Sequence, residues 1–184
     1  MGKCGVYEIN SILLPLKKSI SNKMSRFIGK YEAKADVKGR IFIPSTYRKL
    51  LPDGEREHVV MRKDVENNCL VIFPEHVWNE ILDDLKSKLD EWNPTDQLIL
   101  MQYVSDAEWL DIDSQGRVLI TKKNMQAIGV ENSEVLFVGM SDRFTVWSKP
   151  HYEQAKIPPT DFAKLLKEKM MKIKLPLTPK GELD

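Results

Sequence analysis

The feature that most constrains this chain of 184 residues is a short motif that occurs twice. Residues 35–44 read ADVKGRIFIP and residues 112–121 read IDSQGRVLIT. Each copy contains an aspartate, two variable residues, a Gly-Arg pair and then alternating aliphatic residues. The copies are offset by 77 positions throughout, which indicates an internal duplication. The repeated residues are Asp36, Gly39 and Arg40 in the first copy and Asp113, Gly116 and Arg117 in the second.

The segments that follow the motif recur as well, so the duplication covers more than one turn. EHVVMR at 57–62 aligns with SEVLFVG at 133–139, and NCLVIFP at 68–74 aligns with DRFTVWSKP at 142–150 after a short slippage. Each unit therefore predicts the order strand, turn, strand, short helix and β-hairpin. A unit of roughly 50 residues is too small to bury a large core alone, so we expect the two units to share one core.

Local signals define the turn and the short helix of each unit. The glycine can adopt the positive φ that a tight reversal requires. The carboxylates of Asp36 and Asp113 can accept hydrogen bonds from backbone N–H groups two or three residues further on. In the first unit we predict a helix over 45–51 with Ser45 as its N-cap. In the second unit Thr121 is the expected N-cap, and Gly129 fits a helix C-cap position.

Two longer amphipathic helices are predicted outside the motif. Residues 74–92 carry a stripe of Val77, Ile81, Leu85 and Leu89 at every fourth position. We expect this stripe to pack on its own domain, and the alternative is that part of it packs on a neighbouring subunit. Residues 160–174 present an apolar face and five lysines, which is typical of a solvated C-terminal helix and also compatible with a membrane surface or a protein partner. Residues 176–184 are interpreted as a disordered tail.

These features divide the chain into four segments. Residues 1–23 match nothing in the repeat and are interpreted as a flexible N-terminal extension, or as the result of an upstream start choice, so that the folded protein starts near Met24. The first repeat with its C-terminal helix spans 24–92, and the second repeat spans 93–157. The basic helix and the tail occupy 158–184.

The distribution of charge bears on partners more than the total does. The net charge is +1, so any affinity for nucleic acid must come from local clusters of basic residues. Residues 24–51 contain seven basic and two acidic residues, a local charge of +5. In the second unit the basic residues are offset by acidic ones, namely Asp106, Glu108, Asp111 and Asp113. We therefore expect the first hairpin to contribute more to nucleic-acid affinity.

The arginine that leaves each turn offers five N–H donors in a fixed fork, which suits phosphate oxygens or the O6 and N7 atoms of guanine. The alternative is an Asp–Arg ion pair that merely stabilises the hairpin, and for a single turn that interpretation is the better one. Surface ion pairs contribute only about 0–1 kcal/mol, so stability alone is a weak reason for two such turns in register. The repetition favours a binding role for the pair.

The residues from Asp36 to Arg48 follow the pattern D-x-x-G-R-I-x-I-P-x-x-x-R, which resembles the AbrB-type swapped-hairpin DNA-binding module. Two such modules in tandem resemble the MraZ family of bacterial transcriptional regulators, and the resemblance covers residues 24–152. It implies a mostly β fold with α elements. That fold is a duplicated AbrB/MraZ-like swapped-hairpin β-barrel in which the two units interlock, with peripheral amphipathic helices.

The resemblance also implies a function. Members of the family are sequence-specific DNA-binding regulators associated with the division and cell-wall gene cluster, and they bind tandem promoter repeats as ring-like homo-oligomers. Double-stranded DNA and further copies of the chain are therefore the expected partners. The second unit has Met125 in place of Arg48, so symmetry does not support a role for that arginine. The residues carried over as DNA-binding are Arg40 and Arg117, with Lys38, Gly39, Gly116 and Arg48 beside them, while Asp36 and Asp113 brace the turns.

An enzyme finds little support in the sequence. The chain has no GxSxG, HExxH, Walker A or GxGxxG motif, and its three histidines, His58, His76 and His151, form no ligand spacing. Asp36 and Asp113 could form a carboxylate pair from two units, as in some duplicated β-barrel hydrolases, but in those enzymes small residues follow the aspartate. We expect no catalytic residue, no metal, no cofactor and no small-molecule substrate.

The remaining expectations concern location and the alternative function. Cys4 and Cys69 predict neither a zinc site nor a disulfide framework, so a cytoplasmic, nucleoid-associated protein fits best. No apolar run approaches the ~20 residues that span a membrane, and residues 11–20 lack the charge order of a secretory signal. The alternative function is an antitoxin-like or scaffold module that binds a protein through residues 160–174 without specific DNA binding.

Overall fold

The computed structural model describes residues 26–173. The predicted extension at 1–23 and the predicted tail at 176–184 lie outside the described residues. The first unit contains β1 (Lys30–Lys34), β2 (Arg40–Phe42), α1 (Ser45–Arg48), a 3₁₀ turn (Asp53–Glu55), β3 (His58–Lys63), β4 (Cys69–Phe73) and α2 (Glu75–Lys88). Helix α3 (Pro94–Ser105) follows. The second unit contains β5 (Ala107–Asp111), β6 (Arg117–Leu119), α4 (Lys122–Ala127), β7 (Glu134–Gly139), β8 (Phe144–Trp147) and α5 (Lys149–Ala155), and α6 (Pro159–Ile173) comes last.

The strands of the two units interlock in one antiparallel sheet. Its order is β1-β7-β8-β4-β3-β5, and β2 and β6 form a separate two-stranded ribbon. Strands β5 to β8 are the equivalents of β1 to β4. When each strand is replaced by its equivalent, the strand order is the same from either edge of the sheet. The register repeats too, because Lys30 lies opposite Val138 and the equivalent Ala107 lies opposite Arg62. Each unit therefore supplies the outer strand for the hairpin of the other, and the predicted duplicated swapped-hairpin fold is confirmed.

One hydrophobic core is shared by both units. The ribbon contributes Ile41 and Val118, and the sheet contributes Val59 and Phe137, all of them fully buried. A second cluster lies under α2, α3 and α5 and includes Trp78. Burying apolar area from two small units in one core gives them a stability that neither could reach alone.

The ends of the short helices agree only in part with the sequence signals. Ser45 is the first residue of α1 and not its N-cap, so that prediction is wrong. Pro44 holds the capping position because its backbone is extended, with φ −49° and ψ 133°, and its carbonyl already accepts the N–H of Arg48 at 3.0 Å. In α4 the predicted cap is confirmed, since the Thr121 hydroxyl accepts the N–H of Asn124 at 3.2 Å. Gly129 follows the end of α4 with a φ of +71°, as a C-cap glycine does.

Helix α3 was not predicted, and it shortens the helix that precedes it. The expected helix over 74–92 ends at Lys88, and the side chain of Asn93 then caps α3 by accepting the N–H groups of Thr95 and Asp96. The apolar residues of α3 form one run without helical spacing, so periodicity could not reveal the helix. The signal that could have found it was Asn-Pro at 93–94, a capping residue followed by a proline at the first helical position.

The amphipathic helices differ in how much of their surface the domain covers. Helix α2 buries Val77 and Trp78, whereas Leu85 and Leu89 further along its stripe are only partly buried. Helix α6 confirms the predicted helix over 160–174, and each of its described side chains is exposed. The domain limits at 92/93 and 157/158 stay predictions. None of the helices within residues 26–173 has both the length and the apolar character needed to cross a bilayer.

Candidate nucleic-acid interface

The first turn is organised around the carboxylate of Asp36. Its Oδ1 accepts the backbone N–H groups of Lys38 and Arg40, both at 2.9 Å. Its Oδ2 lies 2.7 Å from Nε and 2.6 Å from Nη2 of Arg40. The hydrogen bonds from the Arg40 backbone and guanidinium lower the pKa of Asp36 to about 2. One carboxylate thus closes the turn and fixes the direction of the arginine.

The second turn repeats this arrangement around Asp113. Its Oδ1 accepts the backbone N–H groups of Gln115 at 3.0 Å and Arg117 at 2.9 Å. Its Oδ2 lies 2.8 Å from Nε and 2.7 Å from Nη2 of Arg117. Hydrogen bonds from the Arg117 guanidinium and backbone hold the pKa of Asp113 below its usual value. The two motifs therefore have the same internal geometry.

Both turns require glycine, and each is tied to the other unit. Gly39 and Gly116 have φ values of +84° and +83°, which L side chains rarely adopt. The carbonyl of Gly39 accepts the N–H of Ile120 at 3.0 Å, and the carbonyl of Gly116 accepts the N–H of Ile43 at 3.1 Å. Each turn is thereby anchored to the strand that leaves the other turn.

The ribbon of β2 and β6 places the two arginines on one face. Ile41 lies opposite its own equivalent Val118, so the approximate twofold axis passes between these two buried residues. Side chains alternate along a strand, so the flanking pairs point away from the core. Those pairs are Arg40 with Leu119 and Phe42 with Arg117. The two arginines are diagonal neighbours, with Cα atoms about 7–8 Å apart.

Each guanidinium is held by its aspartate and still has donors to spare. Of its five N–H bonds, one from Nε and one from Nη2 point to the carboxylate, which leaves three for a ligand. The Arg40 side chain is 36% exposed and that of Arg117 is 18% exposed. Arg117 is the less exposed of the two, and its guanidinium lies 5.7 Å from the centre of the Phe42 ring.

Phe42 and Leu119 were missed as members of this surface. They are 53% and 51% exposed, and they share the outward face of the ribbon with the arginines. The alternation of β2 and β6 carried the signal, because these two residues have the same phase along the strand as Arg40 and Arg117. Val37 is also exposed, at the tip of the first turn.

The short helices cross over, so each turn is flanked by a helix of the other unit. Arg48 of α1 packs against Gly116, where an added Cβ would overlap its guanidinium. At the first turn, Lys122 and Met125 of α4 line a cavity of about 330 Å³ together with Gly39. The sequence predicts a more basic first unit and a more acidic second unit. In the structure each turn also receives a basic side chain from the other unit, because α1 brings one to the second turn and α4 brings one to the first.

The second turn also borders a larger cavity of about 630 Å³. Arg48 and Arg56 of the first unit line it, opposite Asp111, Asp113 and Ser114 of the second unit. The Nε of Arg48 is buried and has no hydrogen-bond partner among the described residues. A buried donor without a partner carries a cost in free energy. The contact seen for this guanidinium is its packing on Gly116.

The three histidines lie in separate surroundings within residues 26–173. His58 contacts Glu75 at 2.9 Å, and His76 contacts Glu55 at 2.8 Å, as separate pairs. His151 Nδ1 lies 2.9 Å from the carbonyl oxygen of Ile128. In this part of the chain no three His, Cys, Asp or Glu side chains converge as metal ligands would.

Comparison with known families gives a match over both units. The model of the family described as "MraZ protein, putative antitoxin-like" matches residues 26–101 and 104–157. The two matched segments each contain one Asp-x-x-Gly-Arg turn, and α6 begins after the second segment ends.

Several relatives resemble the chain over most of their length. A protein named Transcriptional regulator MraZ from Bacteroides fragilis is 45% identical over 147 residues, which cover 80% of this chain and 92% of that protein. The proteins of the same name from Bacteroides thetaiotaomicron and Phocaeicola vulgatus are 44% and 42% identical. Those matches cover 80% and 79% of this chain, and 94% of each relative.

Proposed function

The chain belongs to the MraZ family, and on that premise we propose that it is a sequence-specific DNA-binding transcriptional regulator. The β2–β6 ribbon is the DNA-reading element, and Arg40 and Arg117 are its base-contacting side chains. The observation that carries this proposal is the position of both arginines on one outward face, related by an approximate twofold axis through Ile41 and Val118. The names of the relatives, which are transcriptional regulators, agree with it.

The shape of the ribbon suits double-stranded DNA. The major groove of B-DNA admits a two-stranded β-ribbon, and arginine is the side chain that most often recognises guanine there. Duplex DNA is itself approximately twofold symmetric, so a ribbon with two equivalent arginines meets both strands in the same way. Lys38 and Lys122 beside the first turn, and Arg48 beside the second, serve as phosphate contacts.

The aspartates contribute by preorganisation. A free arginine loses side-chain entropy when it binds, and a guanidinium already held by two hydrogen bonds has less to lose. The lowered pKa values of Asp36 and Asp113 keep both carboxylates ionised into acidic solution, so the arginines stay held under binding conditions. The same negative charges repel phosphates, which confines the productive contact to the remaining N–H groups of each guanidinium.

A single ribbon touches few base pairs, so assembly is part of the proposal. We infer a ring-like homo-oligomer that binds tandem promoter repeats spaced near one helical turn, ~10 bp, so that successive subunits meet the same face of the duplex. Linking weak modules raises the overall affinity by effective concentration. The regulated promoter is that of the division and cell-wall gene cluster, the protein acts in the cytoplasm at the nucleoid, and it needs no enzymatic activity.

The alternative is a protein-binding role of the antitoxin-like kind, with α6 as the binding segment. The exposure of α6 and the wording of the family description favour keeping it as a second candidate. A stoichiometric protein partner, together with absent DNA retention, would distinguish it from the DNA-binding role.

Fluorescence anisotropy tests the DNA-binding role. Wild type and Arg40→Ala/Arg117→Ala are titrated against a duplex with several copies of a repeat from the protein's own promoter, and against a scrambled duplex, over a range of salt. We expect tight, sequence-dependent binding that falls with salt at a log–log slope near −0.9 per phosphate contact, and a loss of specificity of about 100-fold or more in the double variant. Lys63→Ala, an exposed basic residue at the end of β3, serves as the charge control. Equal binding by wild type and the double variant would assign the turns a purely structural role.

A further inference from the structure

Helix α6 presents an apolar side that the rest of the described chain leaves uncovered. Phe162, Leu165, Leu166, Met170 and Met171 are between 44% and 60% exposed. A helix with this spacing of apolar residues is stable in water mainly when that side packs against something. The helix begins after the second of the two segments matched by the family model ends.

Helix α3 presents a second uncovered apolar surface. Leu98, Ile99, Met101 and Val104 are between 41% and 58% exposed, and Trp92 just before the helix is 90% exposed. Clustered apolar residues of this size on a surface mark a site of interaction. At the junction of α2 and α3, Leu89 and Leu100 line a cavity of about 110 Å³, which has room for an aliphatic side chain.

The two surfaces carry opposite charge. Residues 75–105, which include α2 and α3, contain seven acidic and two basic residues, a net charge of −5. The cavity at the junction is lined by three acidic residues, Asp90, Glu91 and Asp96, and by one basic residue, Lys86. Helix α6, residues 159–173, contains four lysines, one aspartate and one glutamate, a net charge of +2. Apolar sides of similar length, each bordered by charges of opposite sign, are complementary in both respects.

We propose that the apolar side of α6 in one copy packs on α3 and the α2–α3 junction of a second copy. A second copy is the occupant because the connection between α5 and α6 is short and stiff. Only residues 156–158 join the two helices, and Pro158 is followed by Pro159 at the start of α6. Proline fixes φ and restricts the residue before it, so this connection limits how α6 can turn back, and the described side chains of α6 are left exposed by their own domain.

This contact deepens the proposed assembly and rests on that part of the proposed function, but not on DNA binding. A helix of this length buries less surface area than a typical stable interface, which covers about 800 Å² on each partner. It therefore strengthens an oligomer as a repeated contact and does not hold two copies together alone.

Cross-linking between mixed variants tests the contact. In a Cys4→Ser background, copies with Met101→Cys on α3 are mixed with isotopically labelled copies with Leu166→Cys on α6, oxidised mildly, and analysed by mass spectrometry. Cys69 can stay, since it is buried and burial raises its pKa to about 12, which keeps the thiol unreactive at neutral pH. Lys49→Cys replaces Met101→Cys in the control, because Lys49 directly follows α1, on the opposite face of the sheet.

A disulfide between labelled and unlabelled copies with Met101→Cys, and none with Lys49→Cys, is the expected result. A Met101→Cys/Leu166→Cys double variant that links only within one chain would overturn the proposal in favour of α6 covering its own α3. Oligomers in native mass spectrometry without any such cross-link would overturn it while leaving the assembly intact. A monomeric wild type would remove both the contact and the proposed assembly.

Charge reversal gives an independent readout. Lys167→Glu on α6 and Glu91→Lys at the junction should each raise the concentration at which subunits dissociate by about two- to fivefold, and the combined variant should recover most of the loss. Leu165→Ala/Leu166→Ala should raise that concentration by about tenfold or more, because it removes the apolar part of the contact. The contact would be contradicted if the combined variant dissociated at the same concentration as the single variants and Leu165→Ala/Leu166→Ala dissociated at the same concentration as wild type.

Discussion

The two Asp-x-x-Gly-Arg turns have the same internal structure in different surroundings. Corresponding hydrogen bonds of the aspartates differ by at most 0.1 Å, and the φ values of the two glycines differ by 1°. Around the first turn, Met125 of α4 leaves an open cavity beside Gly39. Around the second, the Arg48 side chain of α1 packs directly on Gly116, which is buried. The motif therefore determines the shape of the turn, and the helix of the other unit determines what surrounds it.

This difference changes how charge should be assigned. Counted along the sequence, Arg48 adds to the basic first unit. In the structure it lies at the second turn, whose own unit is acidic, so interlocking makes the two ends of the ribbon more alike in charge than the sequence predicts. Substitutions that act on one turn at a time can separate the shared geometry from the unequal surroundings.

The largest expected difference is between the two glycines. Gly39→Ala should destabilise the protein by about 2–3 kcal/mol, because the positive φ is strained and the added Cβ would lie 2.7 Å from the backbone oxygen of Ile120. Gly116→Ala carries the same φ strain but meets the flexible Arg48 side chain, so about 1–2 kcal/mol is expected. Urea unfolding of both variants measures the difference. Equal losses would mean that Arg48 is as rigid as backbone.

The next largest effect is expected when Arg48 is replaced by methionine, the residue found at its equivalent position, Met125. Arg48→Met should reduce the slope of log affinity against log salt concentration by about one in magnitude. It should weaken binding to all duplexes alike, as the loss of one phosphate contact does. The free energy of unfolding should be unchanged or slightly raised, because a buried donor without a partner is removed. Lys49→Met, an exposed neighbour of the same charge, is the control. A loss of specificity at one base would instead make Arg48 a base-reading residue.

A smaller effect is expected from the two apolar residues on the outer face of the ribbon. Phe42→Ala should weaken DNA binding by about two- to fivefold, because the exposed Phe42 ring lies within cation–π distance of the Arg117 guanidinium and helps to position it. Leu119→Ala is the matched substitution beside Arg40. Leu119 has no aromatic ring to contact the Arg40 guanidinium, so this substitution should change DNA affinity less. Anisotropy titrations at one salt concentration compare them. If Leu119→Ala is the more harmful, the apolar face itself contacts DNA.

The smallest effect concerns acid stability. Because the pKa of Asp36 falls to about 2 in the folded state from 3.8, its contribution to stability is present above about pH 4 and lost as the pH falls towards 2. Asp36→Asn should therefore flatten the dependence of unfolding free energy on pH between 4 and 2. Asp113→Asn should act in the same direction, since its pKa is also lowered. Urea midpoints between pH 2 and pH 5 test both, and unchanged curves would show that these ion pairs do not contribute.

The repeat made much of the fold predictable, since strict spacing of Asp, Gly and Arg identifies two turns and the strands beside them. The interlocking of the units came from family resemblance, because strand pairing between units leaves no local signal. Helix α3 was missed because the apolar run from Leu98 to Met101 lacks helical spacing. At the site, the arginines were evident from sequence, whereas Phe42 and the position of Arg48 over Gly116 depend on long-range packing.

The most direct test of the ribbon as a single reading element is a missing-contact measurement. Affinities of wild type, Arg40→Ala and Arg117→Ala are measured for duplexes in which each base pair of one repeat is substituted in turn. Since the arginines lie about 7–8 Å apart and base pairs are stacked about 3.4 Å apart, each variant should lose discrimination at one position, and the two positions should be about two base pairs apart. Uniform weakening at all positions, or lost positions at opposite ends of the repeat, would contradict a ribbon that reads one site with both arginines.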